Sequence, residues 1–342
     1  MSQTKLLSGS LPFVLLACTV LSSISGTAFA FDYSMVDLGS LGGTSACATG
    51  INNAGQIVGY STGSDGQQHP FSWNATNGMQ IMPTDSHFVP LDINDNGVVA
   101  GYVDTYAAFW SSSLGLNALG EAGGVATSVN NNGLITGWAG RNVDPYMQKT
   151  YVWSLDGSAT DLGFSPYSGS LAFGINSGGQ VVGTANGEAF VWDADNGAHY
   201  LGALGPDGSS ANAISDTGMV VGLSDLDWHT KAVFTWTKGS GMSLAFTFNS
   251  EECYTPVAVD SSGMIVGNCS SGVFTWSAND GLAIVGQGEV CGINDSGQFV
   301  GRIRTSTGYD AVLWQPVPEP SSLLALLAGF VTVGGLIRRQ TR

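Results

Sequence analysis

Positive charge is scarce in this sequence: 10 Lys and Arg stand against 26 Asp and Glu, a net charge of −16 over 342 residues. A body this acidic repels a nucleic-acid backbone or an anionic lipid surface, which argues against both partner classes and leaves cations and neutral glycans admissible. Charged residues of either sign reach only 11% and form no block. Enzyme signatures are missing too: there is no H-E-x-x-H, no Walker loop, and neither a G-x-S-x-G elbow nor a G-x-G-x-x-G between a strand and a helix. Cysteine is limited to five residues with no C-x-x-C pair and no His/Cys cluster, so neither a zinc site nor a cofactor is expected.

Glycine, by contrast, is abundant at 49 residues, and it is placed regularly. The stretch Ile51 to Tyr60, INNAGQIVGY, returns from Ile93, Val129, Ile175, Ile214, Val259 and Ile293. One unit of about 40 residues is therefore used repeatedly. Each copy reads as a hairpin: an apolar residue, an Asn or similar small polar residue, turn-formers, then Gly55, Gly97, Gly133, Gly179, Gly218, Gly263 or Gly297. A type I turn followed by a left-handed residue closes such a hairpin, and Gly takes that conformation at no steric cost. The apolar residues that follow, such as Val181-Val182, imply a sheet covered on both faces. A second Gly recurs behind them, for example Gly59 and Gly183.

Each unit also carries a segment ending in Trp73, Trp110, Trp153, Trp192, Trp236, Trp276 or Trp314, which predicts packing between neighbouring sheets. Trp138, outside this pattern, is expected in the core. A fourth short segment follows most of the tryptophans, from Met79 to Met82 through Leu282 to Val285, but none follows Trp314, where prolines remove ladder donors. The missing copy is Tyr33 to Leu38, ahead of the first hairpin. This offset predicts an all-β fold, a seven-bladed β-propeller of four-stranded antiparallel blades over residues 31–316, with the ring closed by the N-terminal strand. An open solenoid or two packed sandwiches are the alternatives.

The ends read as targeting segments. Residues 1–30 fit a signal peptide cut after Ala28-Phe29-Ala30, so that Phe31 begins the mature chain; Leu15-Leu16-Ala17-Cys18 offers a competing lipoprotein signal. In an exported protein the four remaining cysteines favour disulfides. The candidate pairs are Cys253 with Cys269, which flank the sixth hairpin, and Cys47 with Cys291, which are neighbours only if the ring closes.

In four-stranded blades the second-to-third connections share one face, and here they include the longest ones, Ser61 to His69, Ala139 to Thr150 and Ser224 to Lys231. That face should present Asp65, His69, Arg141, Asp144, Tyr146, Lys149, Asp225, Asp227, Trp228 and His229. Trp228 among carboxylates suits stacking on a sugar ring, or else the loop tip folds back on the body. Asp193-Ala194-Asp195-Asn196-Gly197 looks calcium-like but lacks the distal Glu, and reads as a turn. Paired acids such as Asp144 with Asp227 would be needed for glycoside hydrolysis.

The unit from Leu38 to Trp73 resembles the HAF repeat of bacterial extracellular proteins, and the likeness extends over most of Asp37 to Trp314. Only the first unit keeps the His, in His69-Pro70-Phe71, which argues against a shared catalytic or metal role for it. The tail resembles a PEP-CTERM sorting signal: Pro318-Glu319-Pro320, an apolar segment over 321–337 of transmembrane-helix length, then Arg338, Arg339 and Arg342. The resemblance implies a Gram-negative exporter, a single C-terminal anchor before processing, recognition by an exosortase, and release or attachment at the outer surface, in a setting of exopolysaccharide and biofilm. Two functions follow as expectations: an exported, non-catalytic binding or structural protein of the extracellular matrix, or a secreted polysaccharide hydrolase or lyase acting from the same face.

Overall fold

A computed structural model gives the architecture and describes residues 33–84, 87–140, 148–165 and 168–317. Regular structure in these residues is all β-strand. The chain opens with β1 (Tyr33–Asp37), followed by β2 (Gly42–Ile51), β3 (Ile57–Gly63), β4 (Gln68–Asn74) and β5 (Gly78–Ile81). Five four-stranded antiparallel meanders come next. They are β6 (Phe88–Ile93) to β9 (Gly115–Ala122), with β7 (Val99–Val103) and β8 (Tyr106–Ser111) between, and β10 (Val125–Val129), β11 (Ile135–Ala139), β12 (Lys149–Trp153) and β13 (Ala159–Asp161). After these stand β14 (Leu171–Ile175), β15 (Val181–Ala185), β16 (Glu188–Asp193) and β17 (Gly197–Gly202), and then β18 (Ser209–Ile214), β19 (Val220–Asp225), β20 (Thr230–Thr237) and β21 (Gly241–Asn249). The fifth is β22 (Thr255–Val259), β23 (Ile265–Cys269), β24 (Gly272–Ser277) and β25 (Gly281–Gly286), and the chain finishes with β26 (Glu289–Ile293), β27 (Phe299–Arg304) and β28 (Tyr309–Pro316).

The first and last strands belong to one sheet. β1 lies antiparallel on β28 in unbroken register from Tyr33 opposite Pro316 to Asp37 opposite Val312. The strand expected to be missing after Trp314 is thus supplied from the N-terminus. A single parallel pair, Ser45 with Tyr309, joins β28 to β2 and makes an eight-stranded sheet of the two ends.

Both recurring glycines have a physical cause. The turn glycines are left-handed, with φ from 70° at Gly297 to 88° at Gly263, as the hairpin reading requires. The second set faces a different constraint. A Cβ at Gly59, Gly137 or Gly183 would overlap the carbonyl oxygen of Cys47, Val125 or Leu171 on the preceding strand. Opposite each, that strand carries a bulge, as between Ala48 and Gly50 or Ala126 and Ser128. The extra residue presses the two backbones together, and only a residue without a side chain fits beneath it.

The recurring tryptophans pack as expected: Trp153, Trp192, Trp236 and Trp314 are buried, and Trp73, Trp110 and Trp276 lie half-buried against the cores. Phe71, Phe109, Phe190, Phe234 and Phe274 fill the space beside them. Trp138 departs from expectation and is half-buried. It sits at the position occupied by Tyr60, Tyr102, Thr184 and Arg302 in other units, all half-buried, where the strand turns a side chain outward from the sheet core. The described residues contain no helix long and apolar enough to cross a membrane.

Candidate functional site

The inner strands surround a central cavity whose walls are built from the repeat itself. Ile51, Ile93, Val129, Ile175, Ile214, Val259 and Ile293, which lead into the hairpins, form an apolar collar. On the hairpin side of it is a space of ≈160 Å³, and beneath it a second of ≈210 Å³. The bulge residues Thr49, Leu91, Thr127, Phe173, Asn212, Val257 and Cys291 line the lower space.

Just above the collar the side chains form a hub. Asn52 Nδ2 donates to the Asn94 carbonyl at 3.0 Å, Asn94 to Asn130 at 2.8 Å, Asn130 to Asn176 at 2.9 Å, and Asn176 to Ser215 at 3.3 Å. Asn294 donates in turn to Asn52 at 3.1 Å. Each Asn uses its oxygen locally: Asn52 Oδ1 accepts from the Ala54 and Gln56 N–H groups, and Asn94 Oδ1 from Asn96 and Val98. The relay lapses at two places. Ser215 is too short and bonds Thr217, while Asp260 accepts from Ser262 and Met264 but has no hydrogen to pass on. Sequence reading credits these residues only with turn formation, although Asn at one position of five units is a signal for more.

The carboxylates at this mouth are spoken for. Asp95 accepts from the Asn53 N–H, Asp216 from Ser177 and Asp295 from Ser261, each across a sheet boundary at 2.7 to 2.9 Å. Asp92, on the cavity wall, has its carboxyl pushed up by burial, against hydrogen bonds from Val129, Ser128 and Ile93. Among the described residues no group of three or more His, Cys, Asp or Glu is placed to hold a metal ion. The hub is best understood as architecture.

The loop-rich face lies on the other side. Asp65 pairs with His69 at 2.9 Å, and hydrogen bonds from the Gln67 N–H and His69 hold its carboxyl below the usual range. Asp225 pairs with Lys231, and Lys149 with Asp161. Asp227 Oδ1 accepts from the His229 and Thr230 N–H groups at 2.8 Å each, which lowers its pKa and fixes the backbone of its loop. The Ser250 N–H bonds the His229 carbonyl at 2.9 Å, bracing that loop from the connection that follows β21. Trp228 at its tip is 92% exposed. The indole therefore projects into solvent, and the fold-back alternative does not hold. The face brings Asp225, Asp227, Trp228 and His229 together on one loop and leaves Asp65 and His69 on another.

Arg141, Asp144 and Tyr146 lie outside the described residues, as do Cys18, Ala28, Ala30, Phe31, Pro318, Glu319, Pro320, Arg338, Arg339 and Arg342. Asp193 receives the Asp195 and Asn196 N–H groups and the Asn196 amide, so the calcium-like stretch is a capped turn. Cys47, Cys253, Cys269 and Cys291 are thiols. Cys253 is exposed in a left-handed backbone position, φ 51°, with its sulfur on the Ser250 carbonyl.

No family model matches the chain, and no curated protein matches it. Similar solved structures include virginiamycin B lyase from Staphylococcus aureus, at 11% identity and TM-score 0.58, covering 84% of this chain and 100% of that one. An oligogalacturonate lyase in complex with manganese matches at 11% identity and TM-score 0.59, over 85% of this chain and 96% of its own. The β-propeller domain of the Trilobed protease from Pyrococcus furiosus matches at 10% identity and TM-score 0.53, over 79% and 95%. At such identities the likeness concerns the fold alone, and with the sheets described above that fold is a β-propeller.

Proposed function

We propose that the protein is an exported, non-catalytic binding or structural component of an extracellular matrix or exopolysaccharide layer, and that it meets glycans through the loop-rich face of its propeller. The observation that carries this reading is Trp228, a large aromatic left 92% exposed on a loop whose backbone is braced from two sides. A solvent-facing indole on a braced loop offers a stacking surface, and the neighbouring Asp227 and His229 supply partners for hydroxyl groups. Ionisable groups on this face are engaged within their own loops, Asp65 with His69 and Asp225 with Lys231, which suits a contact surface better than a catalytic pocket.

The same reading takes the eight-stranded sheet as two blades meeting at the Ser45–Tyr309 bridge, giving a seven-bladed ring of HAF-type repeats. The terminal segments supply the transport half. Residues 1–30 direct export, the segment 321–337 and its arginines hold the tail in the inner membrane, and an exosortase acts at Pro318-Glu319-Pro320 before delivery to the outer surface.

A glycan array probed with the intact protein and with Trp228→Ala tests the binding role, the variant being expected to lose affinity roughly tenfold or more. Reducing-end release from the host's own polysaccharide would turn the assignment to a hydrolase or lyase. Equal binding by the variant would remove the face from consideration.

A further inference from the structure

We propose that Cys47 and Cys291 form a disulfide that locks the first repeat to the last. Cys47 is buried on β2, opposite Tyr60 of β3. Cys291 is the bulge residue of β26 and lines the lower cavity beside Thr49 and Gly50. The two strands approach backbone to backbone: a Cβ built at Gly292 lies 3.5 Å from the Thr49 carbonyl oxygen and 3.7 Å from the Gly50 Cα. Their relative height is fixed by the Asn294 amide on the Asn52 carbonyl at 3.1 Å and the Asp295 N–H on Asn53 Oδ1 at 2.9 Å. Sequence alone places the cysteines in adjacent units; the register sets Cys291 level with Thr49, two residues along β2 from Cys47.

In other units the bulge side chain bonds the carbonyl one step back on the next inner strand, Thr49 on Pro90, Thr127 on Ala172 and Asn212 on Pro256; the matching carbonyl for Cys291 is that of Ala48, on which the Cys47 sulfur rests at 3.8 Å. A hydrogen bond with Cys291 is the main cause that holds Cys47 below the usual thiol range, and the same bond, reinforced by burial, pushes Cys291 well up. One sulfur thus carries the more available thiolate, and its neighbour is within reach to displace a leaving group. Closure needs an oxidant, and a disulfide-bearing one suffices. The Cys47 thiolate attacks the oxidant and releases its first thiolate; the Cys291 sulfur, giving up its proton, attacks the mixed disulfide at Cys47 and releases the second. The oxidant takes two electrons and leaves as two thiols, and one S–S bond forms in the protein. The chemistry does not require the glycan reading above.

The test is non-reducing peptide mapping of the intact protein after equilibration with oxidised or reduced glutathione and an acid quench. A linked Cys47–Cys291 peptide is expected in the oxidised sample and none in the reduced one. The oxidised form should melt about 5 °C or more higher. Cys47→Ser and Cys291→Ser should each abolish that difference, and Cys253→Ser should keep it. Alkylation of both cysteines in the oxidised sample, or bridging of either to another partner, overturns the proposal. Should a serine variant fail to fold, the wild-type map decides the matter by itself.

Discussion

The Asn294 side-chain amide donates to the Asn52 backbone carbonyl at 3.1 Å, closing the array with the same bond by which Asn52 holds Asn94. One side chain serves two scales, since its oxygen caps the turn that places it and its nitrogen fixes the neighbouring sheet. Ring closure is then a repetition of the local rule rather than a separate device.

Replacing Asn94 by Ala should be costly for that reason. It removes the bond to the Asn130 carbonyl and leaves the Asn96 and Val98 N–H groups without their acceptor in a buried site. A loss of about 2–3 kcal/mol is expected in urea unfolding, with Asn94→Asp, which keeps the acceptor, losing about half as much. A change under about 0.5 kcal/mol would remove the hub from the list of stabilising features.

Asp260 offers the converse experiment. It is 5% exposed and already caps its turn through Oδ1, so Asp260→Asn should keep those bonds and add a donor toward the Asn294 carbonyl. A gain of about 1 kcal/mol is expected. No gain would show that this stretch of the ring is spaced differently from the rest.

The two glycine sets should separate cleanly. A Cβ at Gly97 meets nothing within 4 Å, so Gly97→Ala pays only for a left-handed backbone, φ 74°, about 1 kcal/mol. At Gly183 the same methyl runs into the Leu171 carbonyl, which cannot move without breaking the bulge. There the loss should exceed about 2 kcal/mol, and paired melting curves would show the order.

Tyr33 predicts how stability changes in alkali. Burial pushes its phenol up to about 12, with the charges of Asp260 and Asp280 adding to the effect. The unfolded chain loses this proton near the ordinary value of about 10, whereas the folded chain keeps it. The stabilisation is therefore complete below that pH and is lost as pH rises toward about 12. Tyr33→Phe should flatten this fall in unfolding measurements between roughly pH 10 and about 12; an unchanged slope would assign the loss to other groups.

How much of this was legible in the sequence depended on how local each cause was. Gly55 and its counterparts could be read because a tight hairpin alone demands φ > 0 there. The pairing of Tyr33–Asp37 with β28 could be read because one strand segment was missing at the far end. Gly183 recurs just as regularly, but its reason lies across the sheet, in a bulge that no local pattern announces. Asn52 hid its second role behind an adequate first one, since turn formation already accounts for an Asn there. Trp228 stood out by its neighbours, yet the brace on its loop comes from Ser250, beyond β21, where no local pattern reaches. Trp138 was misplaced because aromatic character outweighed position: its counterparts Tyr60 and Arg302 already marked a half-buried rim.

Since Tyr33–Asp37 pairs only with Tyr309–Pro316, the earliest described ribbon must wait for the latest. A polypeptide emerging amino end first would carry that ribbon unsatisfied while all the intervening units assembled. Premature termination before Trp314 would leave it stranded and strip the outer cover from Phe299–Arg304, two adhesive margins created by a single fault. Completeness of synthesis is thereby written into solubility, and only a full-length product can conceal its sticky borders.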